Sequence, residues 1–121
     1  IYVVLVNSAD QLLVEGEFLD ISQLKEGAKK FINNNGSLPN LSDNPEKAII
    51  SLQNDRGTSY KMYVRVQNEL AAAYNELRND EALKQFGEPY SNLSKADQKK
   101  IKKIYPQKIS EAEPKNIESN S

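Results

Sequence analysis

Leu52-Gln53-Asn54-Asp55-Arg56-Gly57-Thr58-Ser59-Tyr60 joins an apolar strand to a long helix, and the reading of that joint decides the fold. Before it, Ala48-Ile49-Ile50-Ser51-Leu52 is rich in β-branched residues, too short for a helix and bounded by turn formers. Asn54, Asp55 and Gly57 interrupt that run. A hydroxyl at Thr58 or Ser59 can accept one of the orphan amides of a following helical turn. From Tyr60 the apolar period lengthens to nearly four. Tyr63, Val66, Leu70, Ala73 and Leu77 share one stripe, with Tyr60, Gln67, Ala71 and Tyr74 beside it. A strand feeding an amphipathic helix is half of a two-layer α/β unit. Asp55, Gly57 and Tyr60 form its structural corner, with Asp55 accepting backbone amides as Asx turns do.

Towards the N-terminus, Ile1 to Val6 is apolar and β-prone, as in a strand covered on both faces. Asn7-Ser8-Ala9-Asp10 reads as a turn, Gln11 to Val14 as a second strand, and Glu15-Gly16 as a tight reversal into Glu17-Phe18-Leu19. Asp20 is the expected N-cap of a first helix, with Gln23 in capping-box position and Ile21, Leu24, Ala28, Phe31 and Ile32 at helical spacing. Residues 33–46 read as an inserted surface loop with few contacts.

Towards the C-terminus, the long helix is expected to reach Phe86, where Gly87 and Pro89 stop it. Ser94-Lys95-Ala96-Asp97 opens a short helix ended by Pro106, and Gln107 to Ala112 alternates as an exposed edge strand would. Residues 113–121 carry nothing that can pack and are expected to be a disordered tail after a domain spanning 1–112. The expected fold class is α+β: a small mixed sheet of about five strands, in chain order β-β-β-α-β-α-α-β, with helices packed on one face.

Composition limits the chemistry. The 121 residues contain no Cys and no His, which removes thiol nucleophiles, disulfides and the commonest general base and metal ligand. The carboxylate pairs Asp80/Glu81 and Glu15/Glu17 are read as solvated, with no burial to separate their pKa values, so neither catalysis nor a cofactor is expected. A net charge of −1 gives no overall attraction to anionic partners. Lys99, Lys100 and Lys103, with Lys102 and Lys108 nearby, form the densest basic cluster and the candidate patch for an anionic polymer. No aromatic platform interleaves them, which argues against a nucleic-acid module. Asn35-Gly36-Ser37, Asn40-Leu41-Ser42 and Asn92-Leu93-Ser94 match the glycosylation pattern but read as ordinary polar loops. No apolar run approaches the ~18–20 residues of a membrane span. The chain opens without Met on the apolar run from Ile1, which leads us to expect a longer protein. The terminal strands supply the candidate edge for a partner strand or a second copy: Tyr2, Val4 and Val6 at one end, Gln107, Ile109 and Glu111 at the other.

Leu12-Leu13-Val14-Glu15-Gly16-Glu17-Phe18-Leu19-Asp20-Ile21-Ser22-Gln23-Leu24 resembles a strand, tight turn and first helix of periplasmic domains in the ExbD/TolR family of biopolymer transport proteins. Asn54-Asp55-Arg56-Gly57-Thr58-Ser59-Tyr60, followed by Val64, Gln67 and Leu70, is similar to the same family's Asp-x-x-x-x-Tyr corner and second helix. Ile104-Tyr105-Pro106-Gln107-Lys108-Ile109-Ser110-Glu111-Ala112-Glu113-Pro114 resembles the ExbD version of Bacteroides-type bacteria. The chain departs from the pattern in its longer connection over 33–46, an extra helix and a more polar last strand. The resemblance implies a periplasmic domain anchored in the inner membrane by an N-terminal helix. It implies a homodimer working with an ExbB-like channel, which passes the energy of the proton gradient to a TonB-like protein for outer-membrane transport. It implies no catalytic residue here. The alternative within the family is a TolR-like domain of a Tol-Pal-type system that binds peptidoglycan; the third reading is a small α/β nucleic-acid binder.

Overall fold

A computed structural model describes residues 1–39 and 41–111. Asn40 of one glycosylation pattern and the expected tail at 113–121 lie outside the described residues. The chain forms β1 (Tyr2–Val6), β2 (Leu12–Val14), β3 (Glu17–Leu19), α1 (Leu24–Ile32), β4 (Ile50–Asn54), α2 (Tyr60–Phe86), α3 (Lys95–Ile104) and β5 (Ile109–Glu111). Short 3₁₀ turns at Ile21–Gln23 and Tyr90–Asn92 precede α1 and α3. The fold is α+β with a five-stranded mixed sheet, ordered β3-β2-β1-β4-β5, and the chain order of elements follows the sequence reading.

The order across the sheet corrects one expectation. β1 is the central strand, antiparallel to β2 and parallel to β4, so Tyr2, Val4 and Val6 are not at an edge. All three are buried. The strand pairs on both sides and these three side chains face the helices. The expected cover on both faces is not found: Val3 and Leu5, on the alternate face, meet no helix and are only half-buried. Being first in the chain did not place β1 outermost in the sheet.

Burial alternates along the strands. Tyr2, Val4, Val6, Ile50 and Leu52 enter one core with Leu24, Phe31 and Ile32 of α1 and Val66, Leu70 and Tyr74 of α2. Tyr2 stacks on Phe31 with ring centroids 4.8 Å apart. The Tyr2 hydroxyl would lie 2.8 Å from a Cβ at position 27, which accounts for glycine inside α1. α1 and α2 thus cover one face of the sheet. α3 packs instead on the end of α2, where Ala82, Leu93 and Ile101 make a second, smaller cluster.

The helix boundaries have local causes. The Ser59 hydroxyl accepts from the Met62 amide to start α2, and Gly87, at φ +70°, ends it. The Ser94 hydroxyl accepts from the Asp97 amide at the start of α3. Asp20 caps the 3₁₀ turn, taking the Ser22 amide at 2.9 Å, so α1 starts one turn later than the capping-box reading implied.

The expected loose loop at 33–46 is tied down. Asn34 and Ser42 are buried. The Asn34 amide donates to the carbonyls of Leu38 and Ser42, while its oxygen accepts from the Leu38 amide. The Ser42 hydroxyl reaches the Phe31 carbonyl at 2.5 Å and so satisfies the last turn of α1. β4 also begins two residues later than expected, leaving Ala48 buried ahead of it.

Candidate functional site

The helix-free face and the two outer strands are where a partner could meet this fold. Strand register assigns residues to faces, because side chains alternate along each strand. Leu5 pairs with Leu13 and Leu13 with Phe18, so these three share the face opposite the helices, together with Val3. On the other half of that face stand Ser51, Gln53 and Ser110. The face is therefore apolar over β1–β3 and polar over β4–β5. Val3, Leu5 and Leu13 are half-buried, whereas Phe18 is 68% exposed.

Hydrogen-bond parity settles which main-chain groups point away from the sheet. The Glu15 amide donates to Val3 and the Asn7 amide to Gln11, so the Leu5–Leu13 pair between them belongs to the β1–β2 ladder. Leu12 and Val14 then face β3, and in β3 the N–H and C=O of Phe18 point outward. The two-residue turn that closes this hairpin has Glu15 at φ 52° and Gly16 at φ 83°, the type I′ pattern. On the far side the Ile50 amide donates to Lys108, so β5 turns Lys108 and Ser110 inward and Ile109 and Glu111 outward.

The two edges have different surroundings. Beside β3 lies a cleft of about 500 Å³ between the hairpin, the 3₁₀ turn and the start of α2. Leu12, Leu19, Ile21 and Met62 give it an apolar wall; Asp10, Asp20 and Arg65 give it charge. At β5 the side chains turn back onto the fold. The Lys108 ammonium donates to the Glu46 carbonyl, the Gln67 amide donates to Glu111 at 2.7 Å, and the Lys108 amide donates to the Tyr74 hydroxyl. Gln107 precedes the strand and is exposed.

At the corner, Asp55 is buried and its carboxylate accepts from the Gly57 amide at 2.8 Å. A Cβ at position 57 would meet Ser8 at 2.8 Å, so the corner and the β1–β2 turn are in close contact. The Thr58 hydroxyl donates to the carbonyls of Val6 and Asn7, and Asp10 accepts from the Ser59 amide at 2.8 Å. That backbone hydrogen bond holds the Asp10 carboxyl below its ordinary range. Tyr60 points away from this network and is 81% exposed. The corner is a brace between the sheet and the start of α2.

Lys99, Lys100 and Lys103 are exposed on α3. Lys100 lies 3.8 Å from Asp97, and Lys108 is spent on Glu46 rather than joining the cluster. Among the described residues no group of acidic side chains could hold a metal, and no helix is long and apolar enough to cross a membrane. Sequence reading did not single out Phe18 or the Asp10–Asp20–Arg65 cleft. The usable signal was the two-residue turn, whose parity alone directs Phe18 outward. Compared with known proteins, the chain matches no family model and no curated protein.

Proposed function

We propose that this is a partner-binding domain of an ExbD-like energy-coupling complex, held at the inner membrane and facing the periplasm. Its partners would be a second copy, an ExbB-like channel reached through a membrane helix, and a TonB-like protein. The domain itself performs no chemistry in this reading. The observation that carries it is the sheet's construction. One face is backed by helices, and each outer strand directs main-chain hydrogen-bonding groups away from the fold. The resemblance in the β2–β3 hairpin and in the Asp55–Tyr60 corner supports the family. Adding the periplasmic part of a TonB-like protein to the ¹⁵N-labelled domain will shift amide signals along an outer strand; no shift at large excess would remove the coupling role.

A TolR-like, peptidoglycan-binding reading is favoured by one feature, the exposed Lys99, Lys100 and Lys103 on a helix that stands off the sheet. Sedimentation with purified sacculi tests it. Retention of the wild type and its loss on changing these lysines to Gln would support that reading over the first.

A further inference from the structure

The two outer strands are not equivalent, and the difference points to one edge and one kind of partner. Phe18 is the central residue of β3, and its N–H and C=O both point outward. Its side chain joins the apolar half of the helix-free face, while Glu17 and Leu19 turn to the helix side. A strand laid along β3 therefore presents one side chain beside the Phe18 ring and its two neighbours on the helix side, where the cleft opens beside Leu19.

That cleft selects by charge. Asp10 and Asp20 line it against a single guanidinium, Arg65, and Glu17 stands on the strand itself. The apolar wall of Leu19, Ile21 and Met62 suits the methylene stem of a long cationic side chain, whose head then meets the carboxylates. Asp10 and Asp20 each accept through Oδ1, from Ser59 and Ser22, which leaves Oδ2 for a cation. β5 has no such acidic bias, since Lys108 sets a positive charge at the same edge as Glu111.

We propose that β3 is the pairing edge for an extended segment of a partner protein with a basic–apolar–basic alternation. The apolar residue would cover Phe18, one flanking Lys or Arg would enter the Asp10–Asp20 cleft beside Leu19, and the other would meet Glu17. This rests on the partner-binding reading above and adds to it the edge and the chemistry of the segment.

The test uses designed extended peptides, one Lys-Val-Lys alternating and one Glu-Val-Glu alternating, titrated into the ¹⁵N-labelled domain. The basic peptide is expected to move the amides of Glu17–Leu19 and of Met62 and Arg65, with the acidic peptide at least tenfold weaker. Phe18→Pro removes an outward N–H that serves no ladder within the domain, so it should abolish binding while the fold persists. Ile109→Pro, the same change on β5, should leave binding intact. Glu17→Gln should weaken the basic peptide about threefold, as an exposed charge pair does, and keeps the result interpretable if Phe18→Pro fails to fold. Shifts confined to β5, equal binding of both peptides, or loss of binding only in Ile109→Pro would overturn this inference while leaving partner binding in place. If the TonB-like partner moves neither edge, the partner-binding reading fails too.

Discussion

β3 and β5 close the same sheet but are held by opposite means. β3 is joined to β2 by a two-residue turn, so its pairing partners are all within a few residues of it in sequence. β5 is parallel to β4 and is separated from it in the chain by α2 and α3. Its supports are distant in sequence: the Tyr74 hydroxyl, the Glu46 carbonyl, Gln67, and Arg78, which donates to the Tyr105 carbonyl just ahead of the strand. One edge is fixed by turn chemistry and the other by tertiary anchoring. An edge fixed locally can stay ordered while open, since its conformation does not depend on what covers it. That is the property a docking strand requires.

Substitutions can break this contrast or sharpen it. Leu70 is fully buried in the shared core, so Leu70→Ala should cost about 2–5 kcal/mol and lower the protection of both outer strands together, read by urea unfolding and amide exchange. Ile101 is fully buried in the smaller cluster that leads into β5. Ile101→Ala should cost about 2–3 kcal/mol, with less surrounding structure to hold a cavity open, and should accelerate exchange at Ser110 more than at Leu19. Gly16→Ala places a side chain at φ 83° with nothing within 4 Å, so the cost is conformational, about 1–2 kcal/mol, and should fall on β3 alone. Tyr74→Phe deletes the hydroxyl that accepts from the Lys108 amide at 3.3 Å and should cost about 1 kcal/mol, with the loosening confined to β5.

The smallest effect is on the acid limb. The Asp10 carboxyl is lowered from 3.8 by the Ser59 amide, so its contribution is complete above that ordinary value and is lost as pH falls through the lower folded-state value. Asp10→Asn should lower stability slightly at neutral pH, where the wild-type contribution is complete, and flatten the loss below about pH 4 so that the two proteins converge in acid, as followed by denaturant midpoints across pH.

How much of this could be read in the chain depended on the range of the interaction. The stripe of Val66, Leu70, Ala73 and Leu77 and the caps at Ser59, Gly87 and Ser94 involve residues within a turn or two, and each was visible in the sequence. β1 was not placed correctly, because its pairing with β4 joins residues some fifty positions apart, Tyr2 to Ile50 for example, and the apolar run carries no mark of its neighbours. The order in 33–46 comes from Asn34 and Ser42, two polar residues with no periodic signal, each recognisable only by what it bonds. The cleft beside β3 draws Asp10, Asp20 and Arg65 from three separate segments, so no motif could announce it.

The account turns on β3 being ordered with its outward groups unpaired, and amide hydrogen exchange of the free domain tests that most directly. The N–H of Leu19 lies in the β2–β3 ladder and that of Phe18 does not. Leu19 should therefore be protected while Phe18 exchanges at close to the rate of an unstructured chain. Protection of Phe18 matching that of Leu5 in the sheet centre would mean that the edge is already occupied, and would contradict the account.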